Sequence, residues 1–309
     1  MTNDPARRMG NGPMSLRQWA QLLLLGAIWG GSFFFARIAV AEIAPLVLVL
    51  FRVTIAAVAL QLYLLWRGQS LRLAMPYAGD FLVMGLLNNV IPFSLIFTGQ
   101  TAMGAGLASV LNATTPFWTL ILASLMTADE RLSWNKLAGI GLGIAGTAVM
   151  IGPGLLADLG GPVWAKFALI GASLSYALAL IFARRFKGLP PAMVAAGQLT
   201  GSTVIMIPIV LVTYGSAGLF AASVPIWAAV LGLALLSTAF AYILYFGLVA
   251  SAGATNASLV TLIVPASAIL LGVVFLAERL ESFELAGMGL IALGMVTIDG
   301  RLLGLKRPA

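Results

Sequence analysis

The chain has 309 residues, of which 61% are hydrophobic and 9% are charged, and its formal net charge is +7. A mean hydropathy of +1.04 excludes a soluble globular domain, because such domains carry roughly 25% charged residues. The absence of Cys and His excludes disulfides, thiolate chemistry and histidine metal sites or proton relays. The surrounding solvent is therefore lipid, where long apolar runs must be helical because lipid cannot satisfy free backbone groups.

Charged residues and Gly/Pro clusters divide the chain into ten apolar segments, each near the roughly 20 residues that span a bilayer. In chain order these segments are 17–38, 45–66, 77–98, 104–126, 136–152, 163–183, 192–213, 225–249, 255–277 and 284–303. They do not alternate apolar and polar residues, as the strands of a transmembrane barrel would. The sequence predicts an all-α polytopic membrane protein with ten transmembrane helices.

The positive charges predict how the chain is oriented in the membrane. Residues 1–16 are polar and rich in Gly and Pro, which indicates a disordered tail and no cleaved signal. With this tail in the cytoplasm, most of the 17 Lys and Arg residues fall on the cytoplasmic side, and only Arg37, Lys166 and Arg279 fall on the other. Because cytoplasmic loops are enriched in Lys and Arg, both termini, including a short tail at 304–309, are predicted to be cytoplasmic in a plasma or bacterial inner membrane. This topology explains the net charge without a nucleic-acid partner.

The second half of the chain repeats the first. The matching positions are Ser109 with Ser258, Pro116 with Pro265, Glu130-Arg131-Leu132 with Glu278-Arg279-Leu280, Gly139 with Gly287, Gly141 with Gly289, Gly146 with Gly294, Gly85 with Gly232, and Trp29 with Tyr176. Each copy holds five helices, an odd number, so the second copy must cross the membrane in the opposite sense. We therefore predict a five-helix unit at 17–152, an outer linker at 153–162 and an inverted five-helix unit at 163–303. The glycines lie inside apolar helices, which favours close helix packing over phosphate binding.

Several motifs together resemble one transporter family. These are an early Trp29-Gly30-Gly31-Ser32, a proline in the middle of helices 4 and 9, and Glu-Arg-Leu followed by spaced glycines. In this order and duplication they resemble the EamA family of the drug/metabolite transporter superfamily, over residues 18–303. The resemblance implies a ten-helix carrier that works by alternating access, often an exporter of amino acids or other small metabolites, without a cofactor. The second unit departs from the pattern, since Tyr176-Ala177 stands where the first has Trp29-Gly30.

Three prolines within the predicted spans indicate candidate binding residues. A proline in a helix leaves the carbonyl four residues earlier without its usual donor, and carrier sites lie where helices are broken near the midplane. In each case the residue four positions earlier is polar: Asn88 before Pro92, Asn112 before Pro116, and Thr261 before Pro265. We expect these side chains to bind substrate, although polar side chains in membranes also form hydrogen bonds between helices.

A set of aromatic residues away from the predicted helix ends forms the second group of candidates. They would line a cavity for an amphipathic or aromatic solute, and packing between helices is the alternative explanation. The candidates, with the serine of the first motif, are Trp29, Ser32, Phe33, Phe93, Trp118, Tyr176, Tyr242 and Tyr245.

Arg52 is the one charged residue well inside a predicted span. An ionisable residue within a membrane suggests a functional site, and Arg52 would suit a substrate carboxylate. Alternatively, its long side chain snorkels towards the membrane surface or binds backbone carbonyls.

The residue types also limit the possible functions. Intramembrane enzymes need a nucleophile with a base, paired carboxylates or a metal cluster, and none of these lies mid-membrane, so we expect neither catalytic residues nor a metal. A carboxylate in the middle of a predicted span that could relay protons is also missing, which favours facilitated diffusion, or coupling through exchange or through the substrate's own ionisation. The leading hypothesis is a carrier of a small solute in the bilayer, as a monomer or homodimer. The alternatives are a lipid flippase, a nucleotide-sugar carrier and a non-transporting membrane scaffold. A nucleotide-sugar carrier would need several cationic side chains in its cavity, and Arg52 is the one candidate.

Overall fold

The structure is a computed structural model that describes residues 14–40, 42–102, 111–127, 134–151, 162–217, 219–267 and 282–299. Within these ranges the regular secondary structure is helical and contains no strand. The predicted linker 153–162 lies outside the described residues except for Pro162, as do the Glu-Arg-Leu motifs, Ser109 and the tail 304–309. The all-α membrane class predicted from the sequence is confirmed for the described part of the chain.

The described helices of the first half are labelled α1 to α5. They are α1 (Leu16–Ala39), α2 (Pro45–Trp66), α3 with its three parts (Ala78–Gly85, Leu86–Val90 and Ile91–Gln100), α4 (Thr115–Met126) and α5 (Trp134–Ile151). A 3-10 helix, Leu71–Tyr77, leads into α3. The middle part of α3 is π-helical.

The described helices of the second half are labelled α6 to α10. They are α6 (Val163–Phe182), α7 (Pro191–Tyr214), α8 with its three parts (Val224–Leu231, Gly232–Phe240 and Ala241–Ala252), α9 (Ala254–Ser267) and α10 (Ser282–Asp299). A 3-10 helix, Ala183–Phe186, follows α6. The middle part of α8 is π-helical, as in α3, and a turn at Leu259 interrupts α9.

Five of the described helical stretches are long and apolar enough to cross a membrane. They are Pro45–Trp66, Ala74–Gly99, Val163–Phe186, Pro191–Tyr214 and Val224–Ala252. The predicted segment 45–66 agrees with α2 at both ends, and 192–213 differs from α7 by one residue at each end. The predicted segments 104–126 and 255–277 extend beyond the described residues.

Local sequence signals explain where several helices begin and end. Ser15 Oγ accepts a hydrogen bond from the Gln18 amide at 3.3 Å, and Gln18 Oε1 accepts one from the Ser15 amide at 2.7 Å. This reciprocal pair satisfies two amides that have no partner within α1. Gly215 follows the last residue of α7 and Gly253 follows that of α8, with φ values of +69° and +84° that residues with a Cβ rarely adopt.

Helices α5 and α10 pack at very short range through glycines. A Cβ added to Gly139 would lie 2.5 Å from the carbonyl oxygen of Gly294, and one added to Gly146 would lie 2.7 Å from that of Gly287. The N-terminal part of α5 therefore lies against the C-terminal part of α10, so the two helices are antiparallel. Close packing of the glycine-bearing helices, as predicted from the sequence, is confirmed at these positions.

The π-helical parts of α3 and α8 join the two halves of the chain. Ser175 of α6 donates its hydroxyl to the carbonyl of Leu87 in α3 at 2.6 Å. Trp29 of α1 donates its indole N–H to the carbonyl of Ser237 in α8 at 3.0 Å. Because π-helical turns are rare and are frequently found at functional sites, the space between the two halves is a candidate site.

Candidate functional site: a cavity between the two halves

A cavity of about 90 Å³ lies where α1, α2, α3, α4, α6, α8 and α9 meet. A single water needs roughly 10 to 15 Å³ on the same measure, so this space holds several waters or part of a small solute. Most of the predicted candidates line it, namely Trp29, Ser32, Arg52, Asn88, Phe93, Asn112, Tyr176, Tyr242, Tyr245 and Thr261. Residues from both halves of the chain therefore meet at one site.

Among the candidates whose side chains the structure describes, Trp118 and the three prolines are not lining residues. Trp118 packs edge-on against Phe117, with ring centroids 5.6 Å apart. Phe33 belongs to α1, and its side chain lies outside what the structure describes. Pro92, Pro116 and Pro265 lie in the helices beside the cavity but do not line it.

Arg52 is buried, with 6% of its surface exposed, and its side chain lines the cavity. Its Nε donates to Thr238 Oγ1 at 2.8 Å, and its guanidinium lies 3.9 Å from the centroid of the Phe93 ring. No described carboxylate pairs with it. The snorkelling interpretation is therefore wrong, because the side chain is held inside by Thr238 and by a cation–π contact.

Aromatic rings form much of the cavity wall. Trp29, Tyr242 and Tyr245 form a three-ring cluster, with the Trp29 ring centroid 6.3 Å from that of Tyr242 and 5.3 Å from that of Tyr245. Two further lining residues, Phe93 and Tyr176, meet edge to face with ring centroids 6.5 Å apart. Such rings offer an apolar surface with a polar tip, which suits a solute that is itself amphipathic.

A buried hydrogen-bond network behind the cavity fixes one of these tyrosines. Tyr242 donates its hydroxyl to Asn89 Oδ1 at 2.6 Å, and Asn89 Nδ2 donates to Ser202 Oγ at 2.8 Å. The neighbouring Asn88 donates to Gln198 Oε1 at 3.0 Å. Of these two adjacent asparagines, Asn88 lines the cavity and Asn89 does not. Asn89 instead orients Tyr242.

The break before Pro116 differs in detail from the prediction. The carbonyl of Asn112 is not open, because Thr115 donates its hydroxyl to it at 2.7 Å. It is the side chain of Asn112 that has an open acceptor, since its Oδ1 is buried without a hydrogen-bond partner at the cavity. The hydroxyl of Thr115, next to Pro116, therefore satisfies the backbone carbonyl of Asn112. The side-chain Oδ1 of Asn112 is left to accept a hydrogen bond from another donor.

The breaks associated with Pro92 and Pro265 take other forms. The π-helical part of α3 ends just before Pro92, with the amide of Ile91 bonded to the carbonyl of Leu86, so the altered register precedes the proline. In α9, Thr261 donates its hydroxyl to the carbonyl of Ser258 at 2.9 Å, and both residues line the cavity. As near Pro116, a side-chain hydroxyl near the proline donates a hydrogen bond to a backbone carbonyl.

Two polar contacts tie the halves together at the ends of the bundle. Glu42, in the α1–α2 connection, accepts hydrogen bonds from the Ser223 amide at 2.7 Å and hydroxyl at 2.8 Å, just before α8. These bonds hold the pKa of the Glu42 carboxyl below its usual range, and the bond from the Ser223 amide has the larger effect. Arg185, in the α6–α7 connection, forms an ion pair with Asp80 near the start of α3 at 3.0 Å. Each contact joins the first connection of one half to the third helix of the other.

The chemistry of the cavity is that of a binding site. It offers one cation, several aromatic faces, hydroxyl groups and an open amide oxygen. Within the described residues there is no group of three His, Cys, Asp or Glu side chains that could hold a metal ion. A solute with a carboxylate, an apolar body and one hydrogen-bond donor would match these groups.

A helical membrane bundle with an amphipathic cavity between its halves belongs to the class of membrane transporters. The chain is a member of the EamA-like transporter family, which matches residues 18–152 and 163–298. The uncharacterized inner membrane transporter YedA of Escherichia coli K12 is 28% identical over 281 residues, which cover 90% of this chain and 89% of YedA. A probable terminal-alkyne amino-acid exporter of Streptantibioticus cattleyicolor is 27% identical over 302 residues, or 96% of this chain and 97% of that protein.

A solved crystal structure has the same fold. It covers 94% of this chain and 98% of its own, with a TM-score of 0.74 at 19% sequence identity. At this identity the likeness concerns the fold alone. The protein is thus an integral membrane protein of a transporter family, with a small molecule as its substrate.

Proposed function

We propose that this protein is a secondary transporter that exports a small carboxylate-bearing amphipathic solute, an amino acid or a relative of one, by alternating access. The observation that carries the proposal is the placement of Arg52. It is a permanently charged side chain, buried at an aromatic cavity without a described carboxylate to neutralise it. A buried charge is costly unless it is paired, so the transported solute is the natural partner.

The other groups at the cavity fit the rest of such a solute. The rings of Trp29, Tyr242 and Tyr245 would cover an apolar side chain. The open Oδ1 of Asn112 would accept a hydrogen bond from an ammonium or amide group. With the carboxylate on Arg52, these contacts would bind an amino acid at three separate points.

Alternating access requires two units that move against each other, and the packing of α5 and α10 supports this arrangement. Gly139 and Gly146 contact Gly294 and Gly287, which are the repeat counterparts of Gly146 and Gly139. Such a reciprocal contact is what a two-fold axis produces. Because the helices are antiparallel, the axis would lie in the membrane plane, as in inverted repeats. We therefore propose two inverted five-helix units at 17–152 and 163–303.

Direction and orientation rest on two further observations. The excess of Lys and Arg on one side of the predicted topology supports cytoplasmic termini. Export is supported by the similarity to the probable terminal-alkyne amino-acid exporter. The described residues that line the cavity include no Asp or Glu, which supports facilitated export or exchange over a proton relay within the site.

Three probes with one carbon skeleton would test the proposal in liposomes. Phenylalanine carries both charges, 3-phenylpropionate only the carboxylate, and phenethylamine only the ammonium group. We expect flux of the first two and little flux of the third. Arg52→Gln should lower kcat/KM for both carboxylates about tenfold or more, because a hydrogen bond to a charged group is lost.

The matched control is Arg67→Gln, which removes an exposed cation that does not line the cavity. Its flux of all three probes should equal that of the unmodified protein. Flux of phenethylamine equal to that of phenylalanine, or carboxylate flux that Arg52→Gln leaves unchanged, would show that Arg52 does not bind the substrate.

A further inference from the structure

A second cavity lies at the end of the bundle where α6 joins α7 and α8 joins α9. Its volume is about 640 Å³, far larger than that of the central cavity. It lies between the segment Ala183–Phe186 with the residues after it and the region around Gly253. We call it the vestibule. In the predicted topology this end of the bundle is cytoplasmic.

The vestibule is electropositive. Arg184 and Lys187 line it, and the residues that line it, all within the described part of the chain, include no Asp or Glu. Pro190 and Pro191, at the N-terminal end of α7, also contribute to its wall, and the N-terminus of a long helix carries a partial positive charge. Concave surfaces lined by charge of one sign concentrate ions of the opposite sign.

The vestibule and the central cavity share one wall. Leu180 of α6 lines both of them and is 1% exposed. On α8, Phe246 lines the vestibule, whereas the adjacent Tyr245 lines the central cavity, with the two ring centroids 5.2 Å apart. The barrier between the two spaces is therefore about one layer of side chains thick.

We propose that the vestibule is a capture site for soluble carboxylates with a net negative charge, which then pass Leu180 to reach Arg52. The cations would act in sequence, with Lys187 at the mouth and Arg52 at the centre. This extends the proposed function by naming the charge of the preferred solute. An amino acid whose amino group is blocked, or an aromatic carboxylate, fits better than a zwitterion, which a positive surface attracts only weakly.

The absence of Cys from the chain allows a direct test. Ala250 is exposed and lines the vestibule, so the Ala250→Cys variant places a single thiol there. The protein is placed in phosphatidylcholine nanodiscs, where both membrane faces are accessible. The thiol is labelled with anionic methanethiosulfonate ethylsulfonate or with cationic methanethiosulfonate ethyltrimethylammonium. We expect the anionic reagent to be favoured, relative to the same two reagents on free 2-mercaptoethanol.

Adding Lys187→Gln to this variant should lower the preference for the anionic reagent about threefold to tenfold, because one cation attracts one reagent and repels the other. Adding Arg67→Gln makes the same charge change outside the vestibule and should leave the preference unchanged. The preference should also weaken in 1 M salt, where the Debye length falls to roughly 3 Å.

Capture of a solute is tested by protection of the same thiol. We expect 3-phenylpropionate to slow labelling more than phenylalanine does, and phenethylamine to have no effect. The Leu180→Trp variant should keep this protection while losing flux of 3-phenylpropionate. Equal rates for both reagents, a preference that Lys187→Gln does not change, or protection only by added phosphatidylglycerol would overturn the proposal.

The labelling does not depend on transport, so this inference and the proposed function fail separately. If the labelling results hold and no probe is transported, the vestibule stands as an anion site and the transport proposal fails. If Arg52→Gln abolishes carboxylate flux but labelling shows no charge preference, the transport proposal stands and the capture site fails.

Discussion

Tyr242 on α8 donates its phenolic hydroxyl to Asn89 Oδ1 on α3 at 2.6 Å. This bond links the third helix of one half to the third helix of the other, directly behind the cavity. It also fixes the ring of Tyr242, which faces the cavity beside Trp29. Both residues are buried, with exposed fractions of 2% for Tyr242 and 0% for Asn89.

Replacing this tyrosine tests its contribution to stability. Tyr242→Phe would leave Asn89 Oδ1 buried without a donor, which should destabilise the protein by about 1–3 kcal/mol. We expect a lower Tm in detergent and a higher KM for phenylalanine, since the ring loses its anchor. Tyr214→Phe removes the same hydroxyl from an exposed side chain and should change neither quantity. Equal Tm values for the two variants would contradict this role for the bond.

The hydroxyl that holds Arg52 gives a second prediction. Thr238→Val keeps the side-chain shape but removes the acceptor for Arg52 Nε. The guanidinium would then adopt several orientations, and KM for 3-phenylpropionate should rise about threefold to tenfold while kcat changes little. Thr238→Ser retains the hydroxyl and should restore the KM. If the serine variant behaves like the valine variant, the methyl group and not the hydroxyl is what matters.

The glycine contact between α5 and α10 predicts a difference between two nearby positions. Gly139→Ala would place a Cβ 2.5 Å from the carbonyl oxygen of Gly294, whereas a Cβ at Gly141 meets nothing within 4 Å. Overpacking of this kind typically costs about 1–3 kcal/mol. We expect Gly139→Ala to lower the Tm and Gly141→Ala to leave it unchanged or raise it slightly. The Tm of each variant is measured in the same detergent. A larger fall in Tm for Gly141→Ala than for Gly139→Ala would contradict the packing of these helices.

Glu42 predicts how stability depends on pH. Its carboxylate accepts two hydrogen bonds from Ser223, which lower its pKa in the folded protein. A group with a lowered folded pKa stabilises the protein above its unfolded pKa of roughly 4.3, and this contribution is lost as pH falls through the folded pKa. The Tm difference between the unmodified protein and Glu42→Gln should therefore be constant near neutral pH and shrink in acid.

Ser223→Ala provides the partner control for this measurement. It removes the hydroxyl bond but keeps the amide bond, so the acid-dependent difference should become smaller without vanishing. A Tm difference that grows as the pH falls would contradict the sign argued for Glu42.

Much of the fold could be predicted from the sequence because lipid imposes a simple rule on the backbone. A segment such as 45–66 must be helical in a bilayer, and the structure gives α2 the same bounds. The glycine pattern predicted close packing, which the contact of Gly139 with Gly294 confirms. The π-helical parts of α3 and α8 could not be predicted. A change from α-helical to π-helical hydrogen bonding leaves no distinct pattern in the amino-acid composition.

The sequence predicted which residues line the cavity more accurately than it predicted their hydrogen bonds. The rule that a proline frees a carbonyl identified Asn112, although Thr115 satisfies that carbonyl and the open acceptor is the side-chain Oδ1. Asn89 and Thr238 were missed as site residues because each acts on a partner far away in the chain. The hydroxyl of Thr115 beside Pro116 was a signal that could have been noticed.

The sequence by itself determined that this protein lies in a membrane as a helical, internally repeated chain, because hydropathy and repetition are properties of composition and order. Only the tertiary structure decided where the side chain of Arg52 lies. Whether that side chain reaches the membrane surface or remains inside depends on Thr238 and Phe93, which are 186 and 41 positions away along the chain. A buried cation is tolerated only where distant groups converge on it, and that convergence is a property of packing.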